Sequence, residues 1–238
     1  MKKLLLVLVA LVAWPVTAVL AADEVVTSAT FGGESVPFVL TTAGTAKPRY
    51  AVILMPGSTG NLSPRMENGK VVMSMASNFL IRSRGLFADG QFVAASTSAT
   101  STPGRILAIV QELEKRYGKL AVYVIGTSRS TESTQSLAAS LDGQVAGFVH
   151  TSSVTGIASF DPRRFKSRQL LVVHREDACK VTNTAASEAS HRSYGTALIV
   201  MEGGKAAGDE CGAYGHHGYY GVEKETVDKI KAWIVAGG

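Results

Sequence analysis

Apolar positions along the chain change period several times. Residues 25–31 and 35–42 are rich in β-branched side chains and are separated by Gly32-Gly33-Glu34, which predicts a β-hairpin. Beyond Lys47-Pro48, short apolar runs alternate with stretches in which apolar residues recur every three or four positions. The runs at 50–55, 92–95, 120–125, 145–149, 169–174 and 197–201 predict strands. The spacing at 70–84, 103–117, 129–141, 183–194 and 222–236 predicts helices, with Pro103 at the first position of one of them. Such alternation predicts an α/β fold: a mostly parallel sheet with helices on both faces, preceded by an antiparallel hairpin. No segment repeats. The Ser/Thr/Ala-rich stretch at 94–102 reads as a connecting loop, and the interval between Val149 and Gln169 holds a turn or short helix but no cap domain. An open functional face is therefore expected.

The first residues follow a different rule. Lys2 and Lys3 precede an apolar run that starts at Leu4 and ends in the small-residue region before Ala21, the pattern of a signal peptide cleaved after Ala21. Trp14-Pro15 interrupts the run and no basic flank follows it, so no stable membrane insertion of the mature chain is expected, and no cysteine follows for lipid attachment. That leaves residues 22–238 as a single domain, periplasmic or secreted. With 46% hydrophobic and 18% charged residues in 238 positions, the composition suits one sizeable core and excludes disorder. The 24 basic and 19 acidic residues give +5; losing Lys2 and Lys3 leaves 22 minus 19, or +3. No basic block is interleaved with aromatics, so no nucleic-acid partner is expected. The two cysteines, Cys179 and Cys211, are expected to pair in an oxidising compartment. Without CxxC or HExxH spacing, neither a metal nor a cofactor is expected.

Candidate chemistry is concentrated where strands end. The run AVYVIGTSRS from Ala121 to Ser130 reads as strand, sharp turn and helix around Ser128. Gly126, Thr127, Ser128 and Arg129 fit G-x-S-x-G, while Ser130 stands in place of the second glycine. A parallel sheet presents functional loops at the carboxyl ends of its strands, and two further loops stand out there. One, HREDACKVT, carries Asp177 with Glu176 beside it. The other, GGKAAGDECGAYGHHGYYG, carries His217 ahead of a glycine, with His216 and Asp209 as alternatives for base and acid. His150 and His174 lie in apolar strand ends and read as core residues.

In strand order and in these motifs, Gly126 to Arg129 and His174 through Asp177 to Thr182, the sequence resembles the α/β-hydrolase superfamily over nearly all of the mature chain. The resemblance implies a serine hydrolase that cleaves an ester or related acyl bond of a small-molecule substrate through an acyl-enzyme. It implies Ser128 as nucleophile, His217 as general base and acid, and Asp177 as the group orienting the imidazole. Oxyanion donors would be the backbone N–H of Arg129 and one from the loop PGSTGN, with Ser58 preferred and Thr59 next to it. Cys179 would then lie two residues after the acid and Cys211 six before the base, so their disulfide would tie two catalytic loops. Pocket shape depends on loops such as 61–69 and 99–104; Arg65, Arg105 and Arg129 are candidate cations for an acidic substrate, against the reading that exposed arginines are usually just solvated. The contrasting reading is a non-catalytic exported protein of this fold that binds a small molecule or a protein partner.

Overall fold

A computed structural model describes residues 22–44 and 47–237; the predicted signal peptide lies outside them. Strands β1 (Asp23–Phe31) and β2 (Glu34–Thr42) form the antiparallel hairpin, and Gly32 and Gly33 supply the positive φ of +59° and +83° that its turn demands. The chain continues through β3 (Tyr50–Met55), β4 (Arg65–Glu67), β5 (Lys70–Val72), α1 (Phe79–Arg82), α2 (Arg84–Phe87), β6 (Phe92–Thr97) and α3 (Pro103–Tyr117). It then runs through β7 (Ala121–Thr127), α4 (Ser130–Ser140), β8 (Gly147–Thr151), β9 (Arg168–His174), α5 (Thr184–Tyr194), β10 (Ala197–Met201) and α6 (Glu223–Val235). Eight strands form one sheet in the order β1-β2-β6-β3-β7-β8-β9-β10. The last six in that order are parallel, and β2 joins them antiparallel to β6.

Strand alternation divides the core between two faces. From β3, Ala51, Ile53 and Met55 point to the face covered by Ile106, Ile109 and Leu113 of α3 and by Leu137 of α4. Val52 and Leu54 point to the other face, where Phe79, Leu80, Phe87 and the α6 residues Val227, Ile230 and Ile234 pack. Both clusters are almost free of solvent, so β3 and β7 lie between two apolar layers and read as continuous apolar runs.

The predicted helix at 70–84 is a correction. Asn68 and Gly69 adopt positive φ and turn the chain between β4 and β5, Met75 is also left-handed, and Asn78 caps only a four-residue α1 by accepting the Leu80 N–H. Its apolar residues have helical spacing because Met73 and Ile81 converge with Leu62 on Val39 as a small third cluster. Strand β6 runs on to Thr97, into the stretch read as a loop, and β8 starts two residues later than its apolar run. Between Thr151 and Arg168 there are only two short 3-10 turns, Thr155–Ser159 and Pro162–Arg164, and no cap domain. Among the described residues, no helix is long and apolar enough to cross a membrane.

Candidate active site

Ser128 follows directly on β7 with φ of +54°, a conformation that costs a non-glycine residue energy and turns its side chain off the strand end. Three contacts fix this turn. The Ser128 N–H donates to Thr151 O at the end of β8 at 3.0 Å. A Cβ on Gly126 would stand 2.8 Å from Ser130 O and from Thr134 Cγ2, so its absence lets α4 start against the strand. A Cβ on Gly57 would stand 2.7 Å from Thr127 O and 2.9 Å from Ser128 Cβ, so the loop after β3 lies against the turn. Ser130, in the place of a glycine, is buried: its Oγ accepts the Thr127 N–H at 2.8 Å and lies 2.9 Å from the carbonyl oxygens of Met55 and Thr127. A small side chain fits there, and its hydroxyl ties α4 to β3 and β7.

His217 sits in a 3-10 turn, His216–Gly218, ahead of α6. Its Nδ1 lies 3.0 Å from Asp177 Oδ2 and 3.1 Å from Thr182 Oγ1, while Thr182 donates to the same carboxylate oxygen at 3.3 Å. The Cys179 N–H donates to Asp177 Oδ1 at 3.0 Å. The Asp177 side chain is 1% exposed and that of His217 7%, so the pair is sheltered and Nε2 is the ring nitrogen left for other partners. Ser128 and His217 line the same cleft without a hydrogen bond between them.

The alternatives occupy other places. Glu176 is exposed and faces His216, whose Nε2 is 3.6 Å from its carboxylate. Asp209, also exposed, caps its own turn by accepting the Cys211 N–H. His150 is fully buried between Thr134 Oγ1 at 2.7 Å and Gln169 Oε1 at 3.1 Å, and desolvation lowers its pKa to about 4. His174 is held between the Glu176 N–H and the Gly203 carbonyl, and burial lowers its pKa as well. Donor atoms of His174, Glu176 and His216 lie within 4.8 Å of one another. Within that group the His174 Nδ1 lone pair accepts an N–H and its Nε2–H donates, so His174 offers no lone pair to a metal. Cys179 and Cys211 are joined by a disulfide with Cα atoms 4.6 Å apart, linking the Asp177 loop to the His217 loop.

The cleft, about 790 Å³, is lined by Ser58, Thr59, Ser128, Arg129 and His217. Ser58 has φ of +53°, and among the described residues no backbone acceptor takes the N–H of Ser58 or Arg129. Its walls differ from expectation. Residues 61–69 and 99–104 do not line it; Met75, Asn78 and Phe79, Val154, and Lys180 with Val181 do, because the β4–β5 hairpin carries the chain away and returns it at 75–79. Of the three arginines, Arg65 pairs with Glu67 and Arg105 with Glu34 outside the cleft, whereas Arg129 lines it together with Lys180 and Glu132. Sequence reasoning missed Ser152 and Tyr219, which adjoin His217 in space; nothing in their local pattern marks them.

Solved structures of similar shape share little sequence with this chain. A dienelactone hydrolase from Anabaena variabilis is 12% identical with a TM-score of 0.63, over 91% of this chain and 99% of that one. A cold-adapted esterase from an Arctic intertidal metagenomic library is 14% identical with a TM-score of 0.55, over 93% and 99%. An α/β serine hydrolase without lid from Xanthomonas campestris is 10% identical with a TM-score of 0.55, over 91% and 96%. No family model matches the chain, and no curated protein matches it in sequence. At these identities the likeness establishes the fold.

Proposed function

Starting from the α/β-hydrolase fold, we propose that the protein is a serine hydrolase that cleaves a small-molecule ester or related acyl bond through an acyl-enzyme. The observation that carries this reading is that Ser128, held at φ +54° on the end of β7, shares a cleft with His217, whose Nδ1 is occupied by a buried carboxylate.

The proposed chemistry follows from these groups. A serine hydroxyl attacks a carbonyl only as its proton leaves, and His217 Nε2 is the acceptor on this cleft. Asp177 holds the proton of the ring on Nδ1, which leaves the Nε2 lone pair free, and it stabilises the imidazolium formed during attack. Negative charge then develops on the former carbonyl oxygen. The N–H groups of Ser58 and Arg129, two residues that line the cleft and whose N–H groups no backbone acceptor takes among the described residues, are the proposed donors to it, a role in which one donor is worth about 3–4 kcal/mol. Collapse expels the alcohol with the proton from His217, and water repeats the sequence on the acyl-enzyme.

Treatment with a fluorophosphonate probe and mapping of the modified residue tests the reading. Label on Ser128, lost together with ester turnover in a folded Ser128→Ala variant, is the expected result. A wild-type protein that reacts with no ester and no probe supports a binding protein on this fold instead. Export belongs to the same proposal: residues 1–21 are removed, and the disulfide keeps its two loops joined in an oxidising compartment. Intact mass should then correspond to a chain starting at Ala22, about two daltons lighter than its reduced form.

A further inference from the structure

We propose that Ser152 and Tyr219 form a buried positioning device for His217, fixing its main chain so that the imidazole addresses Ser128; this rests on the serine-hydrolase reading. Ser152 follows the last residue of β8, and Tyr219 stands two residues after His217. The Ser152 hydroxyl donates to the His217 carbonyl at 2.8 Å. Tyr219 Oη lies 3.0 Å from Ser152 Oγ, accepts the Ser152 N–H at 3.0 Å, and donates to Val172 O on β9 at 2.8 Å. The Ser152 N–H also reaches Val172 O at 2.9 Å. Ser152 is 1% exposed and Tyr219 not at all, so water does not compete for these bonds. Burial also pushes the Tyr219 phenol upward in pKa, which keeps it a donor.

The two ends of His217 are thus held separately. Asp177 grips the ring, and Ser152 anchors the carbonyl of the same residue to the ends of β8 and β9. The next carbonyl, of Gly218, accepts from Arg82, which is paired with Glu223. Tyr219 packs its ring on Phe79 of the cleft wall, with centroids 4.5 Å apart. Ser152 and Tyr219 both occupy the left-handed region, with φ of +44° and +57°, where neither side chain is at ease. A turn selected only for stability would favour glycine at such positions. Here both positions carry hydroxyls instead: that of Ser152 bonds the His217 carbonyl, and that of Tyr219 joins Ser152 to Val172.

This makes Ser152→Gly decisive, because it suits the left-handed backbone and removes the hydroxyl together with the Cβ that carries it. Active sites are counted by fluorophosphonate labelling to completion, and turnover is expressed per labelled site. The expected result is a kcat lower by about tenfold or more with KM within about threefold, since small errors in the placement of a catalytic group act on the chemical step. Tyr219→Phe should shift kcat in the same direction and gives a second route if one variant folds poorly. Unchanged turnover per labelled site in Ser152→Gly overturns the inference. So does a loss confined to the labelled fraction, which marks a purely structural role, or a rise in KM with kcat intact, which marks a substrate wall. Failure of the underlying reading looks different: wild-type protein then carries no label on Ser128.

Discussion

At Ser130 a hydroxyl takes over a position where a glycine is expected, and it does so with partners on two strands. Truncation to alanine leaves the buried Thr127 N–H without its acceptor, a loss worth about 1–3 kcal/mol. Urea unfolding of Ser130→Ala should show a stability decrease of that size with an unchanged m-value. The neighbouring histidines separate by their contacts. His217 meets the buried Asp177, whereas His216 stacks on His174 with ring centroids 4.5 Å apart and faces the exposed Glu176. His217→Ala is accordingly expected to lower ester turnover by several orders of magnitude, about 10³-fold or more. His216→Ala should keep most of it, and comparable mild losses in the two variants would reject His217 as the base.

Elements meet at the carboxyl edge of the sheet, where the loops after β7 and β10 bring Ser128 and His217 to one cleft and the loop after β9 sets Asp177 against the His217 ring. The Cys179–Cys211 bond closes 32 residues of chain between two of those loops, which in the chain-entropy picture stabilises the fold by about 3–4 kcal/mol. Cys211 also lines the cleft. Replacing both cysteines by serine should therefore lower the unfolding free energy by about 3 kcal/mol and reduce ester turnover, since Asp177 and His217 lose their covalent link. Full activity in the doubly substituted protein would show that hydrogen bonds alone hold the two loops in register. Thermal unfolding and ester turnover, each with and without reductant, measure the two effects on the wild-type protein.

For the whole molecule, protons bound on unfolding set the response to acid. His150, buried across the face of β8, has its pKa lowered by desolvation to about 4 from an ordinary 6.5. Between those values the unfolded chain binds a proton that the folded protein refuses, so stability falls as pH drops from 6.5 towards 4 and the contribution is constant below that. From pH 7 to pH 5 this group removes roughly 2 kcal/mol, and His174, shifted in the same direction, adds to the loss. Urea midpoints at the two pH values should show the decrease, reduced in His150→Gln. The absence of a cap between Thr151 and Arg168 among the described residues bears on the proposed substrate. With no cap over a cleft walled by Phe79, Val154 and Val181, there is no enclosing segment among the described residues to build a long apolar tunnel, so short-chain aryl esters should be turned over in preference to long-chain ones.

Periodicity in the sequence determined the alternating strands and helices, because a face must be apolar wherever it is buried, and it placed α3 at its observed bounds, Pro103–Tyr117. The strand-turn-helix context around Ser128 was equally legible, since Gly126 marks the point where α4 crosses the strand end. At 70–84 the same periodicity misled: Met73 and Ile81 are apolar through contact with distant Val39 rather than through a helix face. Only the tertiary structure decided which acid meets which histidine. Glu176 and Asp177 are adjacent in the chain, but successive side chains in a turn point in different directions, and only Asp177 is directed inward to His217. The walls of the cleft and the Ser152–Tyr219 link are likewise products of folding, as they join residues 65 and more positions apart through bonds that local pattern does not encode.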